Sequence, residues 1–196
     1  MAAHLKEADA PSRRRRLALQ GVGLVLVLAV AVWANLYAAE HDFVRVLARR
    51  FSYPGVFLAA AISGFNLVVP IPVIAFFPFF MEVGFHPVVT VAVIAAGMTT
   101  GDLVGYVLGR ATREVFAAGA QGVVARLEAL RARHRVLPFV VMFLYAAFAP
   151  LPNELLVIPL AFLRFRVAGV FLAVLGGNLI FNSLMALGVT RVFEVI

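Results

Sequence analysis

Two stretches of 29 residues, Pro54 to Glu82 and Leu137 to Phe165, are almost wholly apolar, yet each is broken by prolines. Pro70, Pro72 and Pro78 interrupt the first, and Pro150, Pro152 and Pro159 the second. Each proline removes an amide donor and biases the preceding residue away from helix. An unbroken helix of that length would run about 43 Å, which these prolines forbid. In a lipid environment, non-helical backbone is tolerated only where protein buries it or where it lines a wet cavity. The sequence therefore predicts two re-entrant helical hairpins, residues 54–83 and 137–164, each entering and leaving on one face.

The rest of the chain agrees with a membrane setting. Hydrophobic residues make up 63% and charged residues 14%, with a mean hydropathy of +0.99; soluble domains hold about 45–50% apolar residues. After a basic N-terminus (1–16) comes one transmembrane domain (17–196). Its uncharged run Leu17 to Ala38 is long enough to span a bilayer, and longer than the apolar core of a signal peptide. Spanning helices are also expected at 87–109 and 167–190. Glu40 to Phe51, with Arg45, Arg49 and Arg50 interleaved among apolar residues, reads as a helix on the membrane surface. Residues 110–136 read as a basic, amphipathic cytoplasmic loop. The net charge of +7 lies at the edges of apolar segments, where it orients helices rather than binding nucleic acid. The absence of cysteine excludes disulfides and thiolate chemistry.

Charge gives the topology. With the N-terminus in the cytoplasm and two hairpins opening to opposite sides, the cytoplasmic face receives Lys6, Arg13 to Arg16, the six arginines of the middle loop, Arg164 and Arg166. Only Arg45, Arg49, Arg50 and Arg191 fall outside, as the positive-inside bias requires. The same order of parts occurs twice: a shift of 80 residues carries Pro70 and Pro72 onto Pro150 and Pro152, Gly97 onto Gly177 and Asp102 onto Asn182. The expected fold is an all-α membrane protein, an inverted repeat with two opposing re-entrant hairpins plus spanning helices. Such repeats place substrates near the midplane, where broken helices meet.

Few residues carry chemistry. Gly97, Gly101, Gly105 and Gly109 recur every fourth position, so one helical face admits another backbone closely. Asp102 lies among them, and a carboxylate at the centre of a spanning helix costs about 2.5–3.5 kcal/mol on insertion scales. Tyr106, four residues on, is expected to hydrogen-bond it, with Arg110 a further turn away. Glu154 and Asn153 occupy the break in the second hairpin. They could cap the returning helix or contact a substrate or proton. Asn66, Asn178 and Asn182 are expected to bond between helices. Asp102 could instead serve as structural glue by pairing with Arg110 or a neighbouring helix.

The stretches "VPIPVIAFFPFF", "GMTTGDLVGYVLGR", "FAPLPNELLVIPLAFLRF" and "GGNLIFNSLMALG" together resemble the DedA/VTT superfamily of membrane proteins, over roughly residues 54–190. The resemblance implies opposing re-entrant hairpins and lipid translocation, of undecaprenyl phosphate or phospholipid, with proton coupling through buried acids. This chain departs from the pattern: Val73 stands where bacterial members carry a glutamate, and Glu154 lies in the hairpin where they carry arginines.

Three function classes follow. The first is a lipid flippase or scramblase using Asp102 and Glu154 for protons and Arg110 or Arg164 for a phosphate. The second is an ion- or proton-coupled carrier of a small solute, and the third a noncatalytic membrane organiser. No metalloprotease helix, phosphate loop, nucleophile–base set or metal cluster occurs in the sequence, so neither an enzyme nor a cofactor is expected. Membrane lipids are the expected partners, with protons and a homo-oligomer admitted.

Overall fold

Pro54 sets the first break in the chain. It has no amide hydrogen, and in a helix its ring would collide with the carbonyl of Arg50. The computed structural model, which describes residues 29–30, 33, 36–38, 40–64, 73–111, 113–149 and 151–195, accordingly builds α1 (Asp42–Gly64) as two helical runs joined at Ser52, with φ 47° and ψ −145°. The first run exposes Phe43, Val46, Leu47 and Phe51 and is tied to the next segment by an Arg45–Glu82 ion pair at 3.3 Å. Residues 1–16, Asn66, Pro70, Pro72 and Pro150 lie outside the described residues. So does most of the expected first span, whose described positions are helical.

Beyond residue 72 one turn of 3-10 helix (Val73–Phe76) leads into α2 (Phe77–Val83). Pro78 sits in the first turn of α2, where a missing amide costs no helical bond. The helix ends in a Schellman turn: Gly84, at φ 97°, donates from N–H to Met81 O at 3.0 Å, and Phe85 donates to Phe80 O at 3.0 Å. Then follow α3 (Pro87–Ala111) and α4 (Arg113–Arg133). The latter corrects the expected loop over 110–136: the segment is rich in Ala, Glu, Leu and Arg, all good helix formers. Helix α5 (Leu137–Phe148) stops because Ala149 precedes a proline and is extended, at φ −87° and ψ 121°. The short α6 (Glu154–Phe162) leads into α7 (Val167–Val195). Among the described residues there is no strand. Two helices, Pro87–Ala111 and Val167–Arg191, are long and apolar enough to cross a membrane.

Contacts fix the helix directions. Tyr53 Oη accepts the His86 amide at 3.0 Å, Gly97 faces Phe57 and Ala60, and Gly64 faces Met98. Residue numbers rise together, so the second run of α1 lies parallel to α3, and the chain between them must return through 73–83. The second half does the same. Phe139 faces Gly169, Phe143 faces Gly176 and Ala146 faces Gly177, so α5 and α7 are parallel and α6 returns between them. The shared close approaches match: Gly97 meets a Phe57 carbonyl and the Ala60 methyl, and Gly177 meets a Phe143 carbonyl and the Ala146 methyl.

The long helices α3 and α7 cross antiparallel. Asn182 Nδ2 reaches Met98 Sδ at 3.4 Å, and Asn178 Nδ2 reaches Asp102 Oδ2 at 3.0 Å. The 80-residue shift exchanges these two contacts, taking Met98 to Asn178 and Asp102 to Asn182. Each half has its own apolar cluster. One gathers Ile74, Phe77, Phe80, Ile94 and Met98; the other gathers Met142, Val157, Leu160, Val170 and Val174. Large apolar side chains also cover the outside, among them Leu58, Ile62, Val107, Leu144, Leu172 and Leu187.

Candidate functional site

Where α3 and α7 cross, the buried side chains turn polar. Thr99 and Asp102 come from α3, Asn178 and Asn182 from α7, and Asn153 and Glu154 from the start of α6; all six are buried. The break at Ala149 to Asn153 makes this possible. It ends α5 and starts α6 afresh at the depth of Asp102, so the new helix brings two adjacent polar residues to the centre of the bundle.

The hydrogen bonds form one network. Asn153 Nδ2 donates to Asp102 Oδ2 and to Asn178 Oδ1, both at 3.1 Å. Asn178 Nδ2 donates to the same Asp102 oxygen and to Thr99 Oγ1, both at 3.0 Å, and Thr99 passes its own hydroxyl hydrogen to Ala95 O at 2.7 Å. Asp102 Oδ2 thus receives two amide donors, while Oδ1, equally buried, has no hydrogen-bond partner among the described residues. Asn182 turns its Nδ2 to Asn178 O at 2.7 Å and leaves Oδ1 without a described partner. The neighbours that hold Asp102 are amides, with no cation bonded to it among the described residues. Glu154 adds a second carboxyl in the first turn of α6, where the helix dipole favours negative charge. Its Cγ lies 3.3 Å from the position a Cβ on Gly105 would take, so the absence of a side chain at Gly105 makes room for it.

Several expectations need correction. Asn153 stands at the N-cap position of α6 but makes no capping bond; its amide is directed across the bundle instead. Tyr106 does not serve Asp102. Its ring reaches past the turn and its hydroxyl donates to Phe165 O at 2.6 Å, tying α3 to the turn between α6 and α7. Arg110 is exposed and pairs with no carboxylate among the described residues, so Asp102 is tied to neighbouring helices through Asn153 and Asn178 and not to Arg110. Arg164 lies outside the network, in the turn after α6. The glycine face serves two partners: Gly97 packs on α1, whereas Gly105 and Gly109 pack on Glu154 and Ile158 of α6; Gly101 is buried between them in sequence. Pro152 contributes its carbonyl, which accepts Tyr145 Oη–H and the Leu155 amide, both at 3.2 Å.

Sequence reasoning did not place Thr99 or Asn178 in the site. A signal was present: Thr99 lies one turn before Asp102, and Asn178 follows Gly177, the counterpart of Gly97. Comparison with protein-family models, with curated proteins and with solved structures finds no match for this chain.

Proposed function

We propose that this chain is a multi-pass protein of the inner membrane that moves a lipid, as a flippase or scramblase of a polyprenyl phosphate or phospholipid, coupled to protons. The observation that carries the reading is the buried Asp102–Asn153–Asn178–Thr99 network. It sits in a bundle that exposes many large apolar side chains, among them Leu58, Ile62, Val107, Leu144, Leu172 and Leu187. A soluble protein has no reason to place carboxyls inside and leucines outside; in lipid, an intramembrane acid marks a substrate or proton path.

The finer parts of the reading have separate support. The reversal of direction between α5 and α6 favours a re-entrant hairpin, and the parallel α1 and α3 favour a second. The exchange of Met98–Asn182 with Asp102–Asn178 under one shift favours an inverted repeat. Asp102 has an oxygen left over for a proton after accepting two amides, which suits a carboxyl that loads and unloads during a cycle. The likeness to the DedA/VTT superfamily points to the same activity.

Reconstituted vesicles test the reading. Fluorescent phospholipid and polyprenyl phosphate are followed across the bilayer for the wild type, Asp102→Asn and Glu154→Gln at two pH values. Wild type is expected to move lipid in a pH-dependent way, and each variant to lose at least tenfold in rate and most of the pH dependence. Equal movement in protein-free and protein-containing vesicles, with a folded sample, would remove lipid transport from consideration.

A further inference from the structure

At the end of the bundle where α6 turns into α7, four arginines line one cavity. Arg131 comes from the last turn of α4, Arg135 from the link to α5, Arg164 from the turn after α6, and Arg166 from the residue before α7. The cavity measures about 500 Å³ and is completed by Val136, Phe139 and Phe165, a size within the range of small-molecule sites. No carboxylate pairs with any of the four among the described residues. Four like charges drawn from three chain segments repel one another, and the ordinary solution would be to splay them apart. Here all four line one cavity, and Arg131 is fixed in it: it donates to Leu163 O at 3.3 Å and lies 5.0 Å from the centre of the Phe165 ring, which Phe139 meets edge-on at 5.4 Å.

The backbone at Arg164 adds an independent observation. The two halves end their returning helices in the same Schellman turn: Gly84 and Phe85 close α2, and Arg164 and Phe165 close α6 through Arg164 N to Ala161 O at 3.0 Å and Phe165 N to Leu160 O at 3.2 Å. The left-handed position is glycine in the first half, at φ 97°, and arginine in the second, at φ 53°. A side chain in that conformation is disfavoured, and glycine is the usual occupant. Arginine stands where glycine is easier, at a position that lines the cavity.

We infer that Arg131, Arg135, Arg164 and Arg166 form a binding site for the phosphate of a membrane lipid, with a terminal phosphomonoester as the group that fits best. Guanidinium groups bind phosphate oxygens through paired, parallel hydrogen bonds, and a dianion answers the converging charge. The wall of Phe139, Phe165 and Val136 gives the cavity an apolar side that a free anion does not need and the first carbons of a lipid tail do. This site is separate from the Asp102 network: Tyr106, bonded to Phe165 O, stands between the two.

The site rests on the membrane placement proposed above but not on transport, because binding is read at equilibrium. A chain that binds the lipid and moves none would sink the transport reading and leave this one standing. The test is native mass spectrometry of the full chain in detergent with short-chain phosphatidic acid, phosphatidylglycerol and phosphatidylcholine, with inorganic phosphate as competitor. The wild type is expected to prefer phosphatidic acid by at least tenfold over phosphatidylcholine. Arg164→Gly keeps the turn that Gly84 makes in the first half, so it should fold with an unchanged or raised Tm and lose at least tenfold in affinity; Arg135→Gln should weaken binding likewise. Arg133→Gln removes the same charge from an arginine that faces a different cavity and should change affinity by less than twofold. Equal weakening by Arg133→Gln and Arg164→Gly would reduce the effect to general surface charge and overturn the site. Competition by inorganic phosphate at concentrations equal to the lipid would assign the cavity to a soluble anion and overturn the lipid assignment.

Discussion

Asn178 is the residue on which the polar network turns. Its amide donates to Thr99 and to Asp102 and its carbonyl accepts from Asn153, so it joins all three helices that meet there. Asn178→Ala removes one of the two hydrogen bonds made by each of Thr99 Oγ1, Asp102 Oδ2 and Asn153 Nδ2, at about 0.5–1.5 kcal/mol per bond. Asn182 offers a contrast, being just as buried but bonded only to its own helix and weakly to a sulfur. Asn182→Ala is therefore expected to cost well under half of what Asn178→Ala costs, measured by denaturant titration in detergent; equal losses would mean that burial, and not the network, sets the penalty. This difference could not be seen in the sequence, where both residues are asparagines in an apolar run. Asp102 and Glu154 were legible because a charge in such surroundings is costly wherever it points. The direction of an amide depends on which helix faces it, and periodicity does not carry that. Tyr106 failed for the same reason: four residues from Asp102 is a neighbouring position on the helix, but the hydroxyl found the Phe165 carbonyl beyond it.

The breaks in the helices follow rules that act over a few residues, so they were readable in advance. Pro54 forces the joint at Ser52, and the proline after Ala149 ends α5. The glycine spacing on α3 was readable too, but not the fact that one face serves α1 at Gly97 and α6 at Gly105 and Gly109. The close approaches can be tested in pairs. A Cβ on Gly97 would lie 2.5 Å from Phe57 O and 2.7 Å from the Ala60 Cβ; one on Gly177 would lie 2.8 Å from Phe143 O and collide with the Ala146 Cβ. Backbone cannot step aside as a flexible side chain can, so Gly97→Ala and Gly177→Ala should each destabilise by about 1–3 kcal/mol, the usual cost of overpacking. Gly188 lies on the same helix as Gly177 with nothing within 4 Å of its Cβ position. Gly188→Ala should therefore be neutral or stabilising by up to about 1 kcal/mol, from helix propensity alone. Thermal unfolding of the three variants checks the order, and a loss at Gly188 matching that at Gly97 would contradict the packing.

The two halves pack through antiparallel long helices, and this decides where their ends lie. Since Met98 meets Asn182 and Asp102 meets Asn178, the start of α3 and the start of α7 are at opposite ends of the bundle. His86 precedes the first and Arg166 the second; the 80-residue shift exchanges them, and both are exposed. The ends differ in charge. Arg110, Arg131, Arg135, Arg164 and Arg166 gather at the one, while at the other Arg45, Arg49 and Arg50 are accompanied by Glu40, Asp42 and Glu82, with Arg45 paired to Glu82. If the chain crosses a membrane as proposed, the arginine end is held in the cytoplasm by the positive-inside bias. A chain with no cysteine of its own makes the test direct. His86→Cys should react with an impermeant maleimide added to intact cells, and Arg166→Cys should react only after the membrane is opened. Were each hairpin a full crossing, two crossings would precede His86 and two more would separate it from Arg166, so both would lie on the side of the N-terminus. Labelling of both positions from the same side would break the antiparallel arrangement and, with it, the placement of Asp102 and Asn178 in one site. Opposite labelling, with Arg166 inside, would put the four-arginine cavity on the leaflet where anionic lipids are abundant, within reach of the phosphate that it is built to hold.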